Sequence, residues 1–147
     1  MIVETARFGS VEVDEDKVIL FEDGLPGFES LTKYIILSPP ELNPFHILQS
    51  VEDKDIALTI ADPFLFKKDY SPLIKETVFD ELKIEDNKDA ALFTTIVIPE
   101  DYMKMTANLM APILINSDKM LGKQVILDKG DYPVRYPIFK NSDVKVG

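Results

Sequence analysis

The chain has 147 residues, and its 26 acidic and 16 basic side chains give a formal net charge of −10. That length suits one domain with its own hydrophobic core. The chain has no cysteine and a single histidine, which excludes disulfides, thiolate zinc sites, cysteine nucleophiles and clusters of histidine ligands. The acidic excess disfavours direct binding to nucleic acid or to an anionic membrane, because both require a positive protein surface.

The composition also bounds the organisation of the chain. We predict one domain over residues 1–140 and a flexible polar tail over residues 141–147. No apolar run approaches the ~20 residues of a membrane span. The first residues lack the basic-then-apolar order of a signal peptide. We therefore expect a cytoplasmic protein that makes no contact with a membrane.

Most apolar residues recur at period two, in short runs bounded by Gly, Pro, Asn or Asp, as in half-buried strands. The ten prolines lie between these runs or at their ends, which argues against the long helices of a doubly wound α/β fold. We therefore predict an all-β domain with an antiparallel β-barrel-like fold or a strongly bent sheet. The predicted strands cover residues 2–8, 11–13, 17–21, 34–37, 45–51, 56–61, 92–98, 106–109, 112–115 and 124–127.

Residues 75–84 depart from the strand pattern. They place Val78, Phe79 and Leu82 on one helical stripe and charged side chains elsewhere. We predict a single short amphipathic helix of about three turns at this point.

The sequence offers few groups for catalysis. His46 could act as a general base or a metal ligand, but no Cys or second His can join it, so we favour an ordinary strand residue. The acidic runs at residues 14–16, 52–55 and 85–89 lack the ligand spacing of a calcium loop and suit solvated loops. No serine-nucleophile, P-loop or dinucleotide-binding motif occurs. We predict no enzymatic activity and no cofactor; a small barrel enzyme that uses carboxylates with a divalent ion is the alternative.

Residues 21–29 form a loop that is unusually rich in glycine, proline and phenylalanine. Gly24 and Gly27 can take positive φ, and a proline between them fixes its own φ, so we expect a rigid loop. Leu25 and Phe28 either plug one end of the barrel or contact a partner, and the sequence leaves both alternatives open.

Residues 62–66 form a second unusual segment. Asp62 is expected to cap a turn that Pro63 opens. Phe64 and Phe66 are either lids on the core or an exposed contact patch.

Several short motifs follow one another in a fixed order along the chain. They are GLPGFE at residues 24–29, FHILQSVED at 45–53, ADP at 61–63, TANLMAPILIN at 106–116, QVIL at 124–127 and YP at 132–133. In this order and spacing, over about residues 2–139, the chain resembles the FliW family of flagellar assembly factors. Met110 departs from the pattern, because the family commonly has an Arg at that position.

The resemblance implies a small antiparallel β-barrel-like regulator that is not an enzyme. FliW-like proteins bind the RNA-binding translational repressor CsrA and also newly made flagellin, which competes for the regulator. An acidic protein suits a basic RNA-binding partner. We therefore expect CsrA and flagellin as partners, no direct contact with nucleic acid, and a monomer when free. A chaperone for flagellin alone is a further alternative.

The predicted partner-contact residues come from the motifs and from the two unusual segments. They are Gly24, Leu25, Pro26, Gly27, Phe28, Leu48, Gln49, Ser50, Asp62, Pro63, Phe64, Phe66, Asn108 and Pro112.

Overall fold

The structure is a computed structural model that describes residues 1–128 and 132–139. Over these residues it has one α-helix, α1 (Glu76–Glu81), and several short 3-10 turns. The tail predicted at residues 141–147 lies outside the described residues. In chain order the strands are β1 (Ile2–Thr5), β2 (Gly9–Glu12), β3 (Ile19–Leu20), β4 (Lys33–Leu37), β5 (His46–Ser50), β6 (Ala57–Ala61), β7 (Ala90–Val97), β8 (Thr106–Ala107), β9 (Ile113–Asn116), β10 (Leu121–Gln124) and β11 (Tyr136–Pro137).

Seven of these strands close into a barrel. Neighbours follow the order β3, β4, β5, β6, β7, β9 and β10, and β10 returns to β3. Six of the seven pairings are antiparallel, whereas β10 meets β3 in parallel, with Leu121 opposite Leu20. Closure protects the strand edges that an open sheet would expose. The predicted barrel-like fold is confirmed, with one parallel junction that the sequence analysis did not predict.

Three pairings lie outside this ring. β1 and β2 form an antiparallel hairpin in which Thr5 lies opposite Gly9. β8 pairs with β11 on one side and with the end of β7 on the other. As a result, β7 pairs with β9 over its first half, with β6 at its middle and with β8 at its end.

The interior of the barrel is an apolar core. Phe21 and Tyr34 meet edge to face, with ring centroids 5.3 Å apart. Gly122 lies against the Phe21 ring, and a Cβ added at this glycine would come within 2.5 Å of Phe21 Cζ. The buried members of this core are Ile19, Phe21, Leu25, Tyr34, Leu48, Ile60, Ile113 and Ile115.

The helix predicted at residues 75–84 is shorter in the structure, because α1 spans only Glu76–Glu81. It ends where Lys83 takes a left-handed φ of 57°. The N–H groups of Lys83 and Ile84 donate back to carbonyls of the last turn at 3.1 and 2.9 Å, which is the bond pair of a Schellman C-cap. Val78 and Leu82 are buried, as the predicted stripe requires. Among the described residues, the helices lack the length and hydrophobicity that a membrane span requires.

The strand predicted at residues 124–127 is displaced, because β10 covers Leu121–Gln124. Val125 and Leu127 are buried and Ile126 is 60% exposed, so the alternation that suggested a strand is present. Val125 and Leu127 each donate a backbone hydrogen bond to the segment before β9, at 2.8 and 2.9 Å. These isolated bonds do not extend the ladder of β10.

Candidate functional site

The loop at residues 24–28 belongs to both the core and the surface. Leu25 is 1% exposed and is part of the barrel core, whereas Phe28 is 36% exposed. The Phe28 N–H donates to Leu25 O at 2.8 Å and closes a tight turn. Gly24 and Gly27 take φ values of 66° and 88°, as predicted. Leu25 thus plugs the barrel, and Phe28 is presented to solvent.

A groove of about 210 Å³ opens beside this loop, and we call it the loop groove. At its rim Val97 is 62% exposed, and the following residue, Ile98, is 48% exposed. Neighbouring exposed apolar side chains beside a cleft are typical of a surface that binds a partner. The lining comes from the loop, β6, β7 and β10: Leu25, Pro26, Phe28, Leu58, Thr59, Thr95, Ile96, Val97 and Gln124.

The loop groove forms because the ladder between β6 and β7 is short. It consists of two residue pairs, Ile60 with Thr95 and Ala61 with Thr94. Beyond them β7 pairs with β8. In the described part of the chain, residues 57–59 have no partner on β7. Pairing between the two strands stops there, and the groove lies at this opening.

Carboxylates flank, along the chain, the segments that line the loop groove. Glu29 Oε2 accepts a hydrogen bond from Gly27 N–H at 2.9 Å. Hydrogen bonds from backbone N–H groups, chiefly that of Gly27, hold the pKa of Glu29 below its ordinary value. Asp55 precedes β6, Glu100 and Asp101 follow β7, and all three are exposed. An apolar lining with negative charge around it suits a partner surface that is apolar and positive.

Lys123 connects the start of the loop segment to the helix. Its Nζ lies 2.8 Å from Glu81 Oε2 on α1 and 3.1 Å from Asp23 Oδ2. The hydrogen bonds to Glu81 and then to Asp23 raise the pKa of Lys123. The positive charge closest in sequence to the groove residue Gln124 is therefore already paired with two carboxylates.

Leu48, Gln49 and Ser50, which we predicted as contact residues, are buried, with exposures of 0%, 1% and 0%. Gln49 Nε2 lies 3.1–3.4 Å from four backbone carbonyls between Ser50, at the end of β5, and Ile56, just before β6. Ser50 Oγ accepts from the N–H groups of Glu52 and Asp53 at 3.1 and 3.0 Å. These side chains support the turn between β5 and β6. Their predicted contact with a partner stays untested, and we leave them out of the candidate surface.

The segment at residues 62–66 forms the predicted capped turn. Asp62 Oδ1 accepts from Phe64 N–H at 2.9 Å. Pro63 is buried, Phe64 is 43% exposed, and Phe66 stacks on another ring with centroids 6.5 Å apart. Of the two aromatic side chains, Phe66 therefore serves the core and Phe64 faces solvent.

Asn108 and Pro112 shape the backbone between β8 and β9. Asn108 Oδ1 accepts from Met110 N–H and Ala111 N–H, both at 3.1 Å. Pro112 is buried and its carbonyl accepts from Val125 N–H at 2.8 Å. Like the buried residues of β5, both residues fix the chain path, and their predicted role in binding stays untested.

His46 lies on β5, as predicted for an ordinary strand residue. Its Nδ1 is 2.7 Å from Ser38 Oγ, and its ring meets Phe93 edge to face at 6.1 Å. Within residues 1–128 and 132–139, no three His, Cys, Asp or Glu side chains form a group that could hold a metal ion. The structure therefore provides no ligand set for the carboxylate-and-metal alternative in this part of the chain.

Sequence reasoning missed Val97 and Ile98. We predicted a strand at residues 92–98 without noting its end, where Ile96, Val97 and Ile98 follow one another. In a strand with one solvated face, alternate positions are polar. Three successive β-branched apolar residues therefore place at least one apolar side chain on the outer face, and this signal could have identified the groove rim.

A second groove lies on another part of the surface, where Leu127, Asp128 and Tyr132 are among its lining residues. It has a volume of about 300 Å³ and includes Leu73, which is 86% exposed. Lys75 and Asp128 line it and form an ion pair at 2.9 Å. None of the predicted contact residues lines this groove.

Comparisons with known proteins give a consistent result. The family model described as FliW protein matches residues 2–138. A flagellar assembly factor FliW from Alkaliphilus metalliredigens is 43% identical over 141 residues, which cover 95% of this chain and 87% of the relative. One from Caldicellulosiruptor bescii is 45% identical over 140 residues, covering 95% of this chain and 91% of the relative. A crystal structure of the flagellar assembly factor FliW superposes with a TM-score of 0.91 at 32% identity, covering 97% of this chain and 99% of that one.

Proposed function

Because the chain belongs to the FliW family of flagellar assembly factors, we propose that it acts by binding two proteins, the translational repressor CsrA and flagellin. While it holds CsrA, repression of flagellin synthesis is relieved. Flagellin that has not been secreted captures the protein and frees CsrA to repress again. We place this exchange in the cytoplasm, where translation occurs.

The loop groove is the observation that carries the proposal. It combines Phe28 and Val97, which are 36% and 62% exposed, with a lining from three strands and the loop at residues 24–28. An apolar cleft on a surface gains free energy when a partner removes it from water, at about 25 cal/mol per Å². Binding of a protein partner is therefore the activity that this geometry favours.

Charge supports CsrA as one of the two partners. The chain carries a net charge of −10, which speeds encounter with a basic protein and disfavours contact with RNA itself. The attraction between exposed charges weakens as salt shortens the Debye length from about 10 Å at 0.1 M to about 3 Å at 1 M. The association of the two proteins should therefore slow as salt is added.

The exchange requires coupling between the two partners. Flagellin must lower the affinity for CsrA, and by linkage CsrA must lower the affinity for flagellin by the same factor. Overlapping contacts in the loop groove would produce this mutual exclusion without any change in conformation.

We propose a regulator and not an enzyme. His46 is hydrogen-bonded to Ser38 at 2.7 Å, and the described residues offer no group of metal ligands. Melting in the presence and absence of EDTA tests the alternative, because a bound ion stabilises the native state by mass action. We expect no shift in the melting temperature, and a drop in EDTA would favour the enzyme that uses carboxylates with a divalent ion.

Titration calorimetry with purified CsrA and purified flagellin tests the proposal. We expect binding of each partner at about 0.1 M salt, weaker CsrA binding at about 1 M, and displacement of CsrA by flagellin. Absence of CsrA binding at both salt concentrations would overturn the proposal. Binding of flagellin alone would identify a chaperone for flagellin.

A further inference from the structure

We infer that the loop groove binds an extended segment of a positively charged protein, which pairs as an added strand with residues 57–59 of β6. The inference rests on the proposed function and states how the partner is held. It follows from the direction of the backbone groups at the opening, from the apolar side chains around it and from the charge beside it.

The edge of β6 at the opening presents unpaired strand backbone. Ser50 N–H donates to Ile56 O at 2.9 Å, on the side of β5. Successive residues of a strand turn their N–H and C=O groups to opposite sides. The groups of Ala57 therefore face the side of β7, beyond the two residue pairs that form the ladder. Ala57 is exposed, so a partner strand can reach it.

The same argument applied to β7 identifies the far side of the opening. Asn108 N–H donates to Thr95 O at 3.0 Å, so the backbone groups of Thr95 face β8. The N–H and C=O groups of Ile96 therefore face β6. The same groups of Ile98, the residue that follows β7, face the same side. Addition of a strand to an open sheet edge is a common way to bind an extended peptide, because main-chain hydrogen bonds hold it and alternate side chains enter pockets.

Side chains around the opening indicate what the segment must contain. Val97 and Phe28 offer apolar contacts at 62% and 36% exposure. Asp55, Glu100 and Asp101 are exposed and lie next to the ends of the two strands in the chain, and Lys54 lies 3.4 Å from Asp55. The matching segment has apolar side chains at alternate positions and Lys or Arg at its ends. Among the proposed partners this selects CsrA, the basic one.

The first experiment compares two serine substitutions at equally exposed apolar residues. Val97 is 62% exposed and lines the loop groove, whereas Ile126 is 60% exposed and lines a different cavity. We expect V97S to weaken CsrA binding about five- to tenfold, because the apolar contact is lost. The matched control I126S should change the dissociation constant less than about twofold. Calorimetry measures both, and circular dichroism checks the fold.

The second experiment removes the backbone donor at the open edge. In A57P the proline deletes the N–H that faces the opening and leaves the hydrogen bonds to β5 in place, and an open edge tolerates proline. We expect about tenfold weaker CsrA binding, as for loss of one hydrogen bond. A57V retains the N–H and should bind like the parent. If A57P fails to fold, hydrogen exchange on the parent chain replaces it, with at least about tenfold slower exchange at Ala57 expected in the complex.

The outcomes separate the inference from the proposed function. If the parent chain binds CsrA but V97S binds equally well and Ala57 gains no protection, the strand-addition site is wrong and the proposed function stands. Loss of binding in I126S instead of V97S would also overturn the site. If V97S weakens flagellin binding and leaves CsrA binding intact, the positively charged occupant is wrong. If the parent binds neither protein, the proposed function fails and the inference fails with it.

Discussion

The loop at residues 24–28 and the strand segment at residues 48–50 received the same prediction from the sequence, but one reaches the surface and the other is buried. Both lie within motifs that resemble one family, and both were predicted to contact partners. Phe28 is 36% exposed beside a groove. Leu48 and Ser50 are fully buried, and Gln49 supports a turn from inside the protein. A family motif therefore marks residues that matter without saying whether they bind a partner or hold the fold.

The difference has a simple physical cause. The loop ends in a turn that places Leu25 in the core and Phe28 outside it, so it serves both purposes. The strand segment lies between β4 and β6, with both of its edges paired. Substitutions in the strand segment should therefore act on stability, and substitutions in the exposed part of the loop should act on binding.

The largest expected effect is in the strand segment. Leu48 is fully buried in the barrel core, so Leu48→Ala should lower the free energy of unfolding by about 2–5 kcal/mol through lost burial and the cavity that remains. Urea unfolding measures the loss. The conservative control Leu48→Met should cost less than about 1.5 kcal/mol. Equal stability of the alanine variant and the parent would contradict the assignment of this residue to the core.

The two glycines of the loop give the next effect. A Cβ at Gly24 would lie 2.6 Å from backbone atoms of Glu29, whereas a Cβ at Gly27 meets nothing within 4 Å. Both residues have positive φ, so each alanine substitution costs about 1–2 kcal/mol from backbone strain. Gly24→Ala should cost clearly more than Gly27→Ala, because the backbone itself must also move. A smaller loss at Gly24 would show that the loop relaxes freely.

Gln49 tests, with a polar side chain, whether the strand segment at residues 48–50 acts on stability and not on binding. Gln49→Ala should lower the free energy of unfolding by about 1–3 kcal/mol, because it leaves buried carbonyls of the turn without their donor. The affinity of the folded fraction for CsrA and for flagellin should stay the same. Thermal melting and calorimetry on the same samples separate the two effects, and lost affinity in a fully folded sample would return this residue to the contact surface.

Substitution of Phe28 should lower the affinity for a partner more than it lowers stability. Phe28→Ala removes a partly buried ring and should cost only about 1 kcal/mol of stability, less than the cost of truncating a fully buried Phe. It should weaken partner binding, because the ring lines the loop groove. Leu65→Ala serves as a control, since its side chain is 54% exposed but neither lines the groove nor belongs to the predicted contact residues. Unchanged binding in the Phe28 variant would remove the loop from the site.

The smallest expected effect is a change in the pH dependence of stability, from Glu29 next to the loop and Glu52 next to the strand segment. Hydrogen bonds from Thr32 N–H and Lys33 N–H lower the pKa of Glu52 below its ordinary value of 4.5, and that from Gly27 N–H lowers the pKa of Glu29. A depressed pKa in the folded state gives stability that is present above the unfolded pKa and is lost as pH falls through the folded pKa. Because both groups are exposed, the loss should be small.

Urea midpoints at neutral pH and at about pH 3 measure this contribution. Glu52→Gln and Glu29→Gln should each show a smaller drop on acidification than the parent. A drop equal to that of the parent in both variants would show that these backbone bonds do not favour the ionised carboxylate.

Much of the fold could be predicted, because it rests on local patterns. Alternation at residues 56–61 predicted a strand that the structure places at Ala57–Ala61. The helical stripe placed Val78 and Leu82 correctly, although the C-cap at Lys83 shortened the helix. Less of the candidate site could be predicted. The loop glycines were identified from their residue types. The run of three apolar residues at 96–98 signals one exposed apolar side chain, but its position beside a groove depends on where the pairing of β7 with β6 stops.

By itself the sequence determined the all-β class, the short amphipathic helix, the loop with two positive-φ glycines and the acidic character of the chain. Each of these follows from residue type and from spacing within about ten positions. The tertiary structure alone decided that β10 meets β3 in parallel, that residues 48–50 are inside, and that the β6–β7 ladder stops after two pairs. Strand pairing joins residues far apart in the chain, and side-chain periodicity records which face is buried but not which strand is the neighbour.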